Sequence, residues 1–474
     1  MATHPVYEDS YLSRWLRVRE YAVPPVMIEQ STARRAVGDW AGACAAAHLD
    51  VDLDLRTVNR AFGREFTGRL RSDLRHLAPD LLRWHLPRTA PDGLLRAGLT
   101  LSLARYRLPG RSAPVHLVAR TPPAWADGGQ RFSLALWGAD DTDPGVPHPH
   151  LRPDPRFRFD LHRHLWDVRR TAELPTRVGA DRQPPDEQPE LAALRQPDLV
   201  AMRQPELATA RWAAEAALLR AADGCPEHPV VVRLGIRHRR LLLPDGRLVD
   251  GEPPAALRRF GSGGWAALPV LPDASTWTLP DLLLLRSGVI DPGRLHPLVA
   301  SALAPGYPAS PLPPSATVAG PQLVDCQGAR HRIGLVEGVL SALDHDPAEI
   351  AREQLIGALG GRQLPCLETI ERAHRHPEEL TGVRERLVHG DTSGALAVIE
   401  ALLGPAALLP PGRLREELEA AAERRVVHGL HRADLLSRHR PTPRTGRRID
   451  GRVRVRGDLR DRLRNRPRLA ALPR

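Results

Sequence analysis

The sequence contains no lysine: all 67 of its basic residues are arginine. This absence excludes every chemistry that depends on a lysine amine, including the phosphate-binding P-loop, Schiff-base catalysis and the protein-kinase type of ATP site. Arginine cannot replace that amine, because its guanidinium stays protonated and does not act as a nucleophile. The function classes that remain are those that need no lysine.

Cysteine and long apolar runs are also scarce. The four cysteines are scattered, with no pair at C-x-x-C spacing, so the sequence favours neither a disulfide framework nor a zinc finger. No apolar run approaches the roughly 18 residues that span a bilayer. The first residues, MATHPVYEDS, lack the basic-then-apolar pattern of a signal peptide. We therefore expect a cytoplasmic protein that does not enter a membrane.

The positive charge is concentrated at one end of the chain. Residues 431–474 hold fifteen arginines and four aspartates, which accounts for the whole net charge of +11, and residues 1–430 are neutral. Because this basic segment contains prolines and no aromatic residue, it cannot bury enough apolar surface to fold alone. The composition predicts a disordered tail.

Ten arginines of the tail are candidates for binding a polyanion, with RNA, DNA and an acidic protein surface as the alternatives. Without aromatic side chains on which bases can stack, nucleic-acid binding would be electrostatic and show little sequence preference. The alternative is a solvated tail without a dedicated ligand. The candidates are Arg444, Arg447, Arg448, Arg452, Arg454, Arg456, Arg460, Arg462, Arg464 and Arg466.

The rest of the chain predicts a multi-block α+β fold, with helical N- and C-terminal parts around a strand-rich centre. A Gln-Pro-Asp/Glu-Leu unit recurs every eight residues from Gln188, a period too short for a solenoid, so we interpret it as a linker. The predicted blocks are residues 1–110, mainly helical; 111–177, strand-rich; 178–211, the linker with the repeat; 212–303, mixed α/β; 304–320, a proline-rich linker or loop; 321–430, a hairpin plus a helical array; and 431–474, the tail.

Helix signals are clearest in the C-terminal block. Asp346 followed by Pro347 and Glu349 is typical of a capped helix start. Residues 387–395 match residues 35–43 in pattern: a helix, a Gly-Asp break and a Gly-Ala start to the next helix. This resembles the turn of tetratricopeptide-type helical hairpins, although no 34-residue period follows, and convergent turn chemistry is the alternative. Such hairpins favour protein-binding surfaces.

One segment carries candidate metal ligands. Aspartates and histidines are concentrated between residues 140 and 167. If residues 156–166 form a strand, then Asp160, His162 and His164 share one face, and two imidazoles with a carboxylate suit a divalent metal. The alternative is a half-exposed strand whose polar face meets water.

Two stretches, residues 150–167 and residues 343–396, resemble a group of uncharacterised actinobacterial cytoplasmic proteins. The second stretch includes Leu364-Pro-Cys-Leu367. The resemblance covers about residues 20–430 and implies no catalytic residue, because the group has no established activity. It implies protein partners of the AAA+ ATPase or von Willebrand A type.

These features predict a non-enzymatic cytoplasmic scaffold or adaptor, with helical surfaces for protein partners and an arginine-rich arm for a polyanion. The second hypothesis is a metal-dependent hydrolase or nuclease that uses the His/Asp cluster at 140–167. Bound metal at that cluster distinguishes the two, because the adaptor needs none there.

Overall fold

Helices and three small sheets make up the part of the chain that the structure describes, which confirms the predicted mixed α+β fold. The structure is a computed structural model that describes residues 11–138, 148–180, 206–235, 238–249, 268–307, 322–326, 328–336, 339–359, 364–375, 382–403 and 413–435. Most of the eight-residue repeat, most of the proline-rich segment 304–320 and the arginine candidates of the tail lie outside these residues. The last residues of the predicted linker, from Thr209, belong to a helix.

The N-terminal part is helical, as the sequence predicts. Its helices are α1 (Tyr11–Arg17), which continues as a π-helical turn (Val18–Ala22), α2 (Pro25–Ala36), α3 (Trp40–Ala46), α4 (Leu55–His76) and α5 (Pro79–His85). Asp54 caps α4 by accepting hydrogen bonds from the backbone N–H groups of Arg56 and Thr57. The helices bury leucine and aromatic side chains against the first sheet.

The first sheet has the order β1-β4-β3-β2. Its strands are β1 (Leu49–Val51), β2 (Thr100–Tyr106), β3 (Val115–Arg120) and β4 (Phe132–Gly138). The pairing of β3 with β4 is antiparallel, whereas β1 pairs with β4 in parallel. Every residue of β3 is buried, which explains its nearly unbroken apolar sequence.

The central part alternates short helices and strands. It contains α6 (Leu174–Val178), α7 (Thr209–Asp223), β5 (Val230–Arg233), β6 (Arg239–Leu242), β7 (Leu248–Val249), α8 (Asp273–Thr276), α9 (Pro280–Arg286) and α10 (Pro297–Leu303). Gly224 ends α7 in a left-handed conformation, and β6 and β7 form a hairpin around Gly246. Residues of α9 and α10 join the same core as the N-terminal helices and the first sheet.

The C-terminal part is a hairpin sheet followed by helices. Its elements are β8 (Gln322–Cys326), β9 (Ala329–Val336), β10 (Val339–Ala342), α11 (Pro347–Ala358), α12 (Pro365–Arg375), α13 (Val383–His389), α14 (Thr392–Leu403) and α15 (Arg413–Arg432). The predicted capped start is present, since Asp346 Oδ1 accepts a hydrogen bond from the N–H of Ala348 at 2.8 Å. Two small cores lie here, one under the sheet and α12, the other among α13, α14 and α15.

The two Gly-Asp sequences form the same turn. Gly38 and Gly390 both adopt a left-handed conformation, with φ of 79° and 86°. In each case the following aspartate accepts a hydrogen bond from a glycine N–H three residues later, at 2.8 Å for Asp39 and 2.9 Å for Asp391. An arginine five residues before the aspartate pairs with it in both turns. The pattern found in the sequence therefore corresponds to one turn geometry used twice.

Asp50 of β1 and Asp52, which follows that strand, hold α15 against the first sheet. His428 Nε2 lies 3.0 Å from Asp50 Oδ2, and Arg432 pairs with both Asp50 and Asp52. Burial raises the pKa of Asp50, but hydrogen bonds from His428 and Arg131 outweigh it and hold the pKa below its usual range. The alternating carboxylates thus position the helix that leads into the tail.

The described residues up to Leu435 belong to one compact unit. None of the helices described is both long enough and apolar enough to cross a membrane.

Candidate metal centre

Four potential metal ligands from different elements meet in the C-terminal part. They are Cys326 at the end of β8, His331 in β9, His345 between β10 and α11, and Cys366 in the first turn of α12. One ligand atom from each residue lies within 4.8 Å of each of the others. Both cysteines are fully buried and neither forms a disulfide. Two thiols and two imidazoles at one point are the ligand set of structural zinc sites.

Local sequence explains why these side chains converge. The β8–β9 hairpin, turning at Gly328 with φ of 85°, brings Cys326 and His331 to neighbouring strands. His345 immediately precedes Asp346, which caps α11. Pro365 begins α12, so Cys366 lies in its first turn, where the helix packs on the sheet.

The two histidines are oriented for binding. Nδ1 of His331 lies 2.6 Å from Nε2 of His345. On the opposite side of its ring, His345 Nδ1 lies 3.1 Å from Glu349 Oε2 on α11, and a carboxylate can only accept from this nitrogen. A neutral His345 therefore carries its proton on Nδ1 and directs the lone pair of Nε2 into the cluster. Carboxylate–histidine pairs of this kind are typical around metal ligands.

Without a bound cation, the surroundings of the Cys366 thiol favour its protonated form. Burial, together with the neighbouring Cys326, raises the pKa of Cys366 to about 12. A bound divalent cation reverses this balance, because a coordinating thiol is deprotonated outright. Binding a metal here releases the two thiol protons.

The strand predicted for residues 156–166 is wrong. This segment forms turns and one short 3₁₀-helix, Arg163–Leu165, with a single bridge from Arg158 to Ser102 of β2. Asp160 accepts two hydrogen bonds from the Arg158 guanidinium, at 2.8 and 2.9 Å. The alternation of polar and apolar residues in 156–166 therefore reflects local ion pairs and turns, not a pleated strand.

The three predicted metal ligands Asp160, His162 and His164 do not converge on a common point in the structure. Both ring nitrogens of His162 face protein partners: Nδ1 lies 2.9 Å from the Arg158 carbonyl oxygen, and Nε2 lies 2.7 Å from Ser275 Oγ. His164 is buried, and this burial together with nearby His162 holds its pKa well below the usual range. Among the residues described, the Cys/His cluster is the one group of three or more metal ligands, and Asp160, His162 and His164 are not part of it.

His162, Ser275 and Glu215 contain the residue types of a hydrolytic triad but not its geometry. The Ser275 hydroxyl donates to Glu215 at 2.9 Å, and Glu215 Oε2 lies 3.2 Å from the same His162 nitrogen that meets Ser275. A triad needs the acid on the other ring nitrogen, which here faces a backbone carbonyl. All three residues are buried. Their hydrogen bonds connect α7, α8 and the 156–166 segment, which is a structural role.

Sequence reasoning missed the Cys/His cluster, because its spacing matches no compact zinc pattern. Only Cys326 and His331 are close in sequence, and His345 and Cys366 follow at long intervals. A weak signal was present: each ligand adjoins a turn or a helix start, and His345 and Cys366 both lie in the stretch 343–396. The tail arginines proposed to bind a polyanion lie outside the described residues.

Comparison with protein-family models, with curated proteins and with solved structures found no match.

Proposed function

We propose that this chain is a non-enzymatic cytoplasmic adaptor that binds a protein partner through its C-terminal helices and a polyanion through its arginine-rich tail. The observation that carries the proposal is the exposed apolar surface of those helices. AAA+ ATPases and von Willebrand A proteins are the partner classes that we propose to test first. The protein's four cysteines, none in a disulfide, suit a reducing compartment.

The exposed apolar side chains follow a helical spacing. Leu355 and Leu359 lie one turn apart at the end of α11 and are 65% and 81% exposed. Ile356 adjoins them at 42%, and Val426 on α15 is 62% exposed. Single exposed apolar residues are ordinary, but a stripe along one helix suits an apolar groove or helix of a partner.

The chemistry of the polar clusters supports an adaptor over a hydrolase. The His162 network is buried and makes its hydrogen bonds within the protein. The Cys/His cluster supplies four protein ligands, and catalytic zinc keeps one position for water or substrate. A metal there would therefore stabilise structure and would not activate water.

Replacing Leu355 and Leu359 by glutamate should abolish partner binding, because buried carboxylates at the centre of an interface are strongly unfavourable. The measurement is crosslinking and affinity capture from the source cells, with wild-type and variant protein as bait. Val37→Glu is the matched control, since Val37 is 79% exposed at the end of α2, outside the C-terminal helices. If the same proteins are recovered with all three baits, the stripe is not the binding surface.

A further inference from the structure

We propose that Cys326, His331, His345 and Cys366 bind one Zn²⁺ as a structural centre that joins β8, β9 and α12. This goes beyond the adaptor function and does not depend on it, because the metal site needs no partner. Its basis is the convergence of four side chains with the right ligand atoms.

Distances in the cluster suit a tetrahedral ion. Zinc–nitrogen bonds of about 2.0 Å and zinc–sulfur bonds of about 2.3 Å place tetrahedral ligand atoms roughly 3.3 to 3.8 Å apart. The two ring nitrogens are 2.6 Å apart, and every pair of ligand atoms lies within 4.8 Å. Small side-chain rotations are therefore enough to reach the bound geometry.

Charge and polarity favour zinc over other ions. Two thiolates balance the charge of one divalent ion, so the bound centre is neutral and can remain buried. Thiolate and imidazole ligands in a tetrahedral arrangement select zinc, whereas calcium and magnesium require oxygen ligands. Glu349 supplies the outer carboxylate that fixes the tautomer of His345.

The small core around the cluster explains what the metal contributes. Among the side chains that the structure describes, its buried members are Cys326, Ile333, Ala342, Leu364, Cys366, Leu367 and Ile370. Two of these are the cysteines themselves. A bound ion would therefore tie this core together directly, as structural metals do in small domains.

Titration of the metal-free full-length protein with Co²⁺ tests the site, because tetrahedral Co²⁺ with thiolate ligands absorbs in the visible and near-ultraviolet. We expect saturation at one equivalent and loss of the absorption on adding Zn²⁺. Cys366→Ser should weaken the sulfur-to-cobalt band, because one of its two thiolates is removed, and Cys225→Ser, which removes a cysteine outside the cluster, should leave it unchanged.

Glu349→Gln distinguishes loss of the site from loss of folding. This variant keeps all four ligands, so it should keep the cobalt spectrum while its affinity falls by about 10- to 100-fold. The absence of a thiolate–cobalt band in the wild-type protein would overturn the proposal. An unchanged spectrum in the Cys326→Ser, Cys366→Ser double variant would overturn it too.

Discussion

Chelation of the metal is expected to remove the hydrogen-exchange protection of β8, β9, β10 and α12 while the first sheet keeps its own. Structural zinc contributes apparent free energies of about 10–16 kcal/mol in zinc-finger peptides, and the ligands Cys326 and Cys366 are themselves buried members of the core around the cluster. The first sheet lies in a separate and much larger core. Hydrogen-exchange mass spectrometry of the full chain, before and after chelation, gives the comparison directly.

Restoring zinc should restore the protection. The helices α13 and α14 are an internal reference, because they have their own core and contact the N-terminal part through Tyr21, which stacks on His389 at 6.4 Å. We expect them to remain protected. The Cys326→Ser, Cys366→Ser variant should show no further change with chelator. Protection that is unaffected by chelation, or lost evenly over the chain, would contradict a local metal centre.

Truncation after Leu435 should abolish binding to RNA and duplex DNA. The tail beyond this residue contains the ten candidate arginines, and the remainder of the chain is nearly neutral. A protein that neutralises six to ten phosphates loses roughly 10³- to 10⁵-fold in affinity between 50 and 200 mM salt, through counterion release. Fluorescence anisotropy across a salt series, with full-length and truncated protein, measures both affinity and slope.

Graded variants distinguish a binding arm from a solvated tail. Replacing Arg452, Arg454 and Arg456 by glutamine should reduce the salt slope by up to about three units, because each phosphate contact contributes about 0.9. Arg60→Gln with Arg64→Gln is the matched control, since both arginines are exposed on α4. No binding by the full-length protein even at low salt would contradict the polyanion part of the proposal.

The sequence predicted those helix starts and turns that depend only on neighbouring residues. The start of α11 follows from Asp346 and Pro347, because capping needs only neighbouring residues. The paired Gly-Asp turns belong to the same class, since each aspartate accepts from a glycine three residues on. These features were predictable without knowledge of the fold.

Alternation was a less reliable signal. The period of two in residues 156–166 indicated a strand, but Arg158 pairs with Asp160 and the chain turns instead. Acidic and aliphatic residues also alternate around β1, and Asp50 does lie in that strand. The partners of Asp50 and Asp52, however, could not be predicted from the sequence. Asp50 and Asp52 bind His428 and Arg432, which follow them by more than 370 residues. Only the tertiary fold brings such partners together.

The Cys/His cluster could not be predicted from the sequence either, because its four residues meet only in the tertiary fold. Two strands, β9 and β10, and the helix α11 lie between Cys326 and Cys366, so no fixed motif spacing connects the two cysteines. Their convergence depends on α12 packing against the β8–β10 sheet. Once the fold is known, the buried cysteines and the His345–Glu349 pair identify the site.

The central claim is that one zinc ion holds this part of the protein together, and native mass spectrometry of the full-length chain tests it most directly. We predict a single zinc-bound species whose mass exceeds that of the metal-free chain by one zinc minus two protons, because both thiols ionise on binding. Mild acid should release the ion as the ligands are protonated. A chain that stays metal-free in excess zinc, or gains zinc equally well in the Cys326→Ser, Cys366→Ser variant, would contradict the claim.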